Sequence, residues 1–277
     1  MAGHSLDDLR RVIRRIETRR PKRPAPQPIE EVLGGEVVDT GEGKLLVVRR
    51  EFPLSHQHGR QTLGAVLEAP LDLLSAVARA ERPVEDARRL LFLDAETTGL
   101  AGGTGTYAFL VGAAWLEDDR LVLTQHFMRD FDEEAALLAA LRPLLERASG
   151  LVTFNGAGFD VPFIRGAFPS ARLPPAHLDL LTCARRLRWR GGLKAIERQL
   201  GLSRDLDVRV LAGSDAVRLW RTYERTGSTN ALRLLVGYNR ADCENLEPVA
   251  AASVAAMLRR LAPPARGGIK QASLPAA

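Results

Sequence analysis

The chain has 277 residues, of which 45% are hydrophobic, so it can bury a sizeable core and is not globally disordered. Its net charge of +5 resides in residues 1–23, which hold eight Lys or Arg against three acids. No apolar run approaches the roughly 20 residues of a membrane-spanning helix, and the N-terminus lacks the apolar stretch of a signal peptide. The two cysteines, Cys183 and Cys243, form no paired motif, so we expect a reducing, cytoplasmic setting.

Composition divides the chain into four parts. They are a basic arm and Pro-rich linker expected to be flexible (1–33), a small N-terminal segment expected to pack on the main domain (34–86), the main domain (87–262) and a flexible tail (263–277). The arm suits a solubilising extension as well as a tether to phosphate backbones. In the small segment, residues 44–52 predict a strand and residues 67–80 a short helix.

The apolar stretches of the main domain predict both strands and helices. Strands are predicted at 90–96, 107–116, 120–128, 150–156 and from 177. Helices are predicted at 133–148, 159–168, 193–201, 215–227 and 231–261. Three strands in series, followed by helices that alternate with strands, indicate an α/β domain with a mixed sheet.

Asp94 and Glu96 end the first of these strands. Side chains two apart in a strand share a face, so the two carboxylates would repel each other unless a cation lay between them. The alternative is that the strand ends at Leu93 and both acids are solvated in the loop that follows.

Two further acids occupy the ends of core elements. Asp160 opens a helix, where an N-cap is the more common role for an aspartate. Asp242 follows Tyr238 by four residues, so the two share a helical face, although an ordinary surface aspartate remains the alternative. Together with Asp94 and Glu96, they could hold two divalent ions, Mg²⁺ or Mn²⁺, suited to phosphoryl displacement.

Three segments resemble the exonuclease motifs of the DEDD superfamily in the same order: DAETTGL (94–100), FNGAGFD (154–160) and YNRAD (238–242). The Tyr-x-x-x-Asp spacing of the third resembles the DEDDy branch. Residues 45–261 also resemble a bacterial group of ribonuclease-H-like, predicted exonuclease proteins. This resemblance implies a ribonuclease-H-like, mixed five-stranded sheet flanked by helices, with a small N-terminal appendage.

The same resemblance implies roles for individual residues. Two Mg²⁺ or Mn²⁺ ions would be held by Asp94, Glu96, Asp160 and Asp242, and Tyr238 would orient the attacking water. The terminal nucleotide would be gripped by Thr97, Thr98, Leu100 and Asn155. The implied activity is 3′–5′ exonucleolytic hydrolysis of phosphodiester bonds at single-stranded ends of DNA or RNA. A structure-selective endonuclease and a non-catalytic nucleic-acid-binding module remain as rivals.

For each of the other candidate site residues, two interpretations remain open. Lys194 belongs to a basic cluster whose other members are Arg185, Arg186, Arg188 and Arg190. The cluster could contact the phosphates of a single strand, with Trp189 as a stacking face for a base, or it could be a solvated helix end. His177 and Asp179 share a strand face and could support the metals, although a structural role is favoured. His56 and His58 form a His-x-His pair, but without a third ligand nearby a structural role is favoured there too.

Overall fold

The computed structural model describes residues 28–78, 80–98, 107–167, 169 and 171–261. The strands within them are β1 (Glu36–Asp39), β2 (Lys44–Pro53), β3 (Gln57–His58), β4 (Gln61–Thr62), β5 (Leu90–Thr97), β6 (Ala108–Glu117), β7 (Arg120–Phe127), β8 (Gly150–Thr153) and β9 (Ala176–Asp179). The helices are α1 (Ile29–Leu33), α2 (Leu71–Val77), α3 (Glu134–Arg147), α4 (Asp160–Ala167), α5 (Leu180–Leu187), α6 (Leu193–Leu200), α7 (Leu206–Arg209), α8 (Gly213–Thr226) and α9 (Thr229–Leu261).

Seven strands form the main sheet, in the order β1-β2-β7-β6-β5-β8-β9. The pairs from β1 to β5 are antiparallel, whereas β8 runs parallel to both β5 and β9. The mixed α/β class with flanking helices is confirmed. Five strands were predicted, and the sheet gains two because β2 pairs along its length with β7 and carries β1 with it.

Helices cover both faces of the sheet, because the apolar side chains of its central strand alternate. Leu91 and Leu93 of β5 pack in one core cluster with α3. Leu90 and Phe92 point the other way and pack in a second cluster with α5 and α9. The strand is therefore buried on both sides, as its near-continuous apolar sequence predicts.

The parallel part of the sheet fixes where the chemistry can lie. Because β5, β8 and β9 run in the same direction, their carboxyl ends meet at one edge, where open α/β sheets bind ligands. The strand predicted at 150–156 ends already at Thr153, since Asn155 takes a left-handed backbone conformation with φ of 67°.

α9 is a 33-residue helix that crosses one face of the sheet and continues through Pro248. It approaches the sheet closely at Gly112 of β6, where a Cβ would overlap Cys243 Sγ and lie 2.5 Å from Asn239 Oδ1. The absence of a side chain at Gly112 therefore sets the distance between this helix and the sheet.

The N-terminal segment contributes to the same core. Val66 and Leu74 are buried beside residues of α9, and Val32 and Leu33 of α1 are buried at the end of the predicted flexible arm. The domain boundary at residue 87 stays a prediction. The helix expected at 5–19, the loop 99–106 and the tail 263–277 lie outside the described residues. No helix in the described ranges is long and apolar enough to cross a membrane.

Candidate active site

Three carboxylates converge between β5 and α9. Asp94 and Glu96 continue the β5 face of Phe92, and Asp242 faces them from α9. One oxygen from each lies within 4.8 Å of the others. This spacing suits shared coordination of a cation, so the i, i+2 pair of acids has a partner from a distant part of the chain.

Asp160 lies beside this group. Its Oδ1 accepts a hydrogen bond of 3.0 Å from the backbone N–H of Ala95, the residue between Asp94 and Glu96. The Asp160 side chain is buried, and its charge raises the pKa of both neighbouring carboxyls. The four acids that the sequence singled out thus occupy one region, while their roles as ligands stay predictions.

Burial makes the acidic group costly to ionise. It raises the pKa of Asp94 and Glu96 well above the ordinary values, and the neighbouring carboxylates add to the effect. Burial also raises the pKa of Asp160 to about 7 and that of Asp242 to about 6. Among the described residues, Glu96 Oε1 is buried without a hydrogen-bond partner. Hard oxygen donors with an orphaned carboxylate oxygen fit a divalent cation such as Mg²⁺ or Mn²⁺.

Asn239 fixes the position of Asp94. The sequence did not identify it as a residue of the site. Its Nδ2 donates to Asp94 Oδ2 at 2.9 Å and to the Asp94 carbonyl at 3.1 Å. Gln125 of β7 donates to Asn239 Oδ1 at 2.9 Å and so sets the orientation of the amide. The one sequence signal was the position of Asn239 inside YNRAD, next to Tyr238.

Arg204 is the second residue that sequence reasoning missed. Its Nη2 donates to Asp242 Oδ1 and to Glu197 Oε1, and its Nε donates to Glu197 Oε2 at 2.7 Å. Asn245 Nδ2 adds a bond of 2.9 Å to Glu197. These groups are buried, so the guanidinium compensates charges that solvent cannot reach. The segment around Arg204 carries no motif that distinguishes it from a surface arginine.

Tyr238 lies next to the acidic group on α9, one turn before Asp242. Burial raises its pKa far above the ordinary value, and the charges of Asp242, Glu96 and Asp94 reinforce this. Lys194 Nζ lies 4.8 Å from the centre of its ring. The phenol therefore stays protonated, which suits a hydrogen-bonding group and excludes a general base.

Lys194 was predicted to contact substrate. Its ammonium donates to the carbonyls of Leu211 and Val208, and burial lowers its pKa. Lys194 thus connects α6 to the segment before α8 and covers Tyr238. Its contact with substrate stays a prediction.

An open cleft of about 660 Å³ gives access to these groups. Residues predicted for the site line it together: Asp94, Asn155, Lys194, Tyr238 and Asp242. Gly191, Gly192 and Gly213 form part of the wall. The cleft therefore reaches the acidic group from the side where the three motifs meet.

Of the residues predicted to grip the terminal nucleotide, Asn155 lines the cleft. Thr97 ends β5, and Thr98 follows it, with its Oγ1 accepting a bond of 3.3 Å from Tyr107 N–H. Leu100 lies outside the described residues. Asn155 donates its backbone N–H to Asp179 Oδ1 at 3.1 Å.

Asp179 and His177 have structural partners. Asp179 accepts bonds from the backbone N–H groups of Asn155, Ala157, Leu181 and Thr182, so it caps α5 and anchors the second motif. His177 Nε2 lies 2.8 Å from the hydroxyl of Thr153. These contacts agree with the structural role that was favoured for both residues.

The arginines of the basic cluster and Trp189 differ in their exposure to solvent. Arg185, Arg186, Arg188 and Arg190 are exposed, and Arg190 directly precedes Gly191 of the cleft wall. Trp189 is half-buried and packs against the core, so little of its ring is available for stacking on a base.

Comparison with known proteins identifies a family and a relative. The family model described as the RNase H superfamily matches residues 91–254, the range that holds Asp94, Glu96, Asp160, Tyr238 and Asp242. The chain is also 32% identical over 215 residues to a protein of Bacillus subtilis (strain 168) named uncharacterized protein YprB. That alignment covers 73% of this chain and 51% of YprB, so the chain spans about half the length of this relative.

Proposed function

The chain belongs to the RNase H superfamily, and from that premise we propose that it is a metal-dependent 3′–5′ exonuclease acting on single-stranded nucleic-acid ends. Members of the superfamily are in general hydrolytic nucleases that use divalent metals. The observation that carries the proposal is the convergence of Asp94, Glu96 and Asp242, because two of these acids, Asp94 and Asp242, line the same open cleft as Tyr238.

In this proposal the acidic group holds two divalent cations, Mg²⁺ or Mn²⁺, through Asp94, Glu96, Asp160 and Asp242. When bound, such ions neutralise developing charge on the phosphate and make a water nucleophilic at neutral pH. The protein side supports this assignment: Glu96 Oε1 has no hydrogen-bond partner in the described part of the chain, and Asn239 holds Asp94 in one orientation.

Tyr238 orients the attacking water through its hydroxyl. Its raised pKa keeps the proton on the phenol, so the group acts by hydrogen bonding and not by proton abstraction. The ring is held between α6 and α9 by Lys194 on one side and Arg204, 5.5 Å from its centre, on another. A fixed ring orients the water without further ordering of the protein.

The substrate end would enter along the cleft. Asn155 at its wall, with Thr97 and Thr98 at the end of β5 and Leu100 beyond, would contact the terminal nucleotide. The exposed Arg185, Arg188 and Arg190 supply positive charge for the phosphates that follow. Recognition of one terminal nucleotide favours an exonuclease over an endonuclease.

The test is degradation of matched 5′-labelled DNA and RNA oligonucleotides with Mg²⁺ or Mn²⁺. We expect a ladder of products that shorten from the 3′ end. Asp94→Asn should lower the rate at least about a hundredfold. Asp119→Asn is the matched control, since the Asp119 side chain is 84% exposed in the β6–β7 turn and should leave the rate unchanged.

A circular single strand and a binding assay distinguish the rivals. Cleavage of the circle would identify an endonuclease, because an exonuclease has no end from which to start. Binding of oligonucleotides without turnover under any metal condition, unchanged in Asp94→Asn, would identify a non-catalytic module and overturn the proposal.

A further inference from the structure

A second group of metal-ligating side chains is connected to Glu197 through Asn245, which contacts both Glu197 and His58. One ligand atom from each of His56, His58 and Glu244 lies within 4.8 Å of the others. We propose that these three residues form a second metal site, separate from the acidic group, which binds a transition metal ion of the Zn²⁺ type and joins the N-terminal segment to α9.

The hydrogen bond of His58 defines which of its ring nitrogens is free. His58 Nε2 lies 2.6 Å from Asn245 Oδ1. The amide is oriented by its own Nδ2, which donates to Glu197 Oε1 at 2.9 Å, so Oδ1 is the atom that faces His58. A carbonyl oxygen only accepts, and therefore His58 Nε2 carries the hydrogen. With Nε2 assigned to this hydrogen bond, Nδ1 is the ring nitrogen left to bind a metal ion.

That Nδ1 faces a carboxylate. It lies 3.6 Å from Glu244 Oε1, and both side chains are nearly buried, at 11% and 12% exposure. A metal ion bound by both atoms would lie between them in place of a direct His58–Glu244 ion pair. Ligands at about 2.1 Å from a tetrahedral Zn²⁺ are about 3.4 Å apart, close to the observed distance. A metal-bound histidine that donates its other N–H to an oxygen is the usual arrangement.

His56 completes the set from a defined backbone. Its N–H donates to the Pro53 carbonyl at 2.8 Å, and its carbonyl accepts from Leu63 N–H at 3.1 Å. The centres of the His56 and His58 rings lie 6.1 Å apart, with His56 directly before β3 and His58 within it. Their rings can therefore reach one ion together with Glu244.

The two sites differ in the type of ligand atom that they offer to a metal ion. Two imidazoles and one carboxylate suit Zn²⁺, with a water in the fourth position, whereas an all-carboxylate group suits Mg²⁺ or Mn²⁺.

The ion would connect two regions that already touch. Gln61 of β4 donates to the Pro248 carbonyl of α9 at 2.8 Å, and Val66 N–H donates to Glu247 at 2.9 Å. Glu244 lies two residues after Asp242 on the same helix. A metal at this point would hold the N-terminal segment against the part of α9 that carries the active-site carboxylate.

The test is titration of the tag-free full chain with Co²⁺ in saturating Mg²⁺, followed by visible absorption. Mg²⁺ occupies oxygen sites, and Co²⁺ reports a four-coordinate site containing nitrogen through its intense visible bands. We expect one equivalent of Co²⁺ to bind with these bands and Zn²⁺ to displace it. His56→Ala and Glu244→Gln should each weaken binding at least about tenfold.

Two controls make the result decisive. Ser55→Ala, at the exposed neighbour of His56, and Asp94→Asn, in the acidic group, should both retain the bands and the affinity. His56 is exposed, so His56→Ala keeps the fold if Glu244→Gln does not. Absence of nitrogen-coordinated Co²⁺, unchanged affinity in His56→Ala, or loss of binding in Asp94→Asn would each overturn the second site.

Discussion

Arg204 donates through Nη2 to both Asp242 and Glu197 and through Nε to Glu197, and these bonds join the acidic group to the buried polar residues around Glu197. The Arg204 side chain is 3% exposed and that of Asp242 is 9% exposed. One cation thus balances two buried carboxylates. It lowers the pKa of Asp242, although burial outweighs this and leaves the value near 6.

Removal of Arg204 should therefore destabilise the protein strongly. In Arg204→Met, Glu197 and Asp242 remain buried without their cation, and we expect the free energy of unfolding in urea to fall by about 3–5 kcal/mol. Asp205→Asn is the matched control, because it breaks the ion pair of Arg240 with a side chain that is 70% exposed. It should cost at most about 1 kcal/mol. Equal losses of unfolding free energy in the two variants would show that the buried ion pair contributes no more to stability than the exposed one.

Gly112→Ala should displace α9 from the sheet. The added methyl would overlap Cys243 Sγ and crowd Asn239, whose amide holds Asp94. We expect a loss of about 1–3 kcal/mol in urea denaturation together with reduced nuclease activity. Adding Cys243→Ala should recover part of the stability, which a double-mutant cycle measures.

The matched control is Gly166→Ala on α4, where a Cβ would meet nothing within 4 Å. This variant should be as stable as the natural chain, or more stable by up to about 1 kcal/mol. If Gly112→Ala proved equally harmless, close packing of α9 on β6 would not be what fixes Asn239.

Stability of the metal-free protein should depend on pH through Asp160. Burial raises its pKa from 3.8 to about 7, so between these values the folded state holds a proton that the unfolded chain has released. Its stabilising contribution is complete below about pH 4 and is lost as the pH rises through about 7. The slope attributable to Asp160 approaches about −1.4 kcal/mol per pH unit in this window.

The measurement is the free energy of unfolding in EDTA across this pH range, for the natural chain and Asp160→Asn. Glu247, with a pKa raised to about 7, and His126, with a pKa lowered to about 4, titrate in both proteins, so the difference reports Asp160 together with its effect on the neighbouring carboxyls Asp94 and Glu96. Mg²⁺ should stabilise the natural chain more at the alkaline end, where the carboxylates are ionised. Parallel curves for the two proteins would contradict the assignment.

Tyr238→Phe should separate binding from turnover. The ring keeps its contacts with Lys194 and Arg204, so the fold and the entry of substrate should be preserved. Loss of the hydroxyl should lower kcat about tenfold or more and leave KM nearly unchanged, because orientation of the water matters most in the transition state. Steady-state kinetics on a labelled oligonucleotide measure both quantities. A rise in KM at constant kcat would assign the phenol to substrate binding instead.

The sequence predicted the central elements well, because local patterns encode them. The apolar run that precedes Asp94 predicts a buried strand, and the i, i+4 spacing of Tyr238 and Asp242 on a helix places them on one face. It did not predict that β2 joins the main sheet, since periodicity identifies a strand but not its neighbour. Nor did it predict the helix at 29–33 after the Pro-rich linker, because five residues carry too little pattern.

The sequence by itself determined which residue types could perform the chemistry: the acids of three motifs, a tyrosine one helical turn before the last of them, and a His-x-His pair. Only the tertiary structure decided their partners. Arg204 reaches Asp242 across 38 residues, and His58 reaches Asn245 across 187. The physical reason is that local periodicity records which face of an element is buried, whereas the polar group that it meets there depends on how distant elements pack.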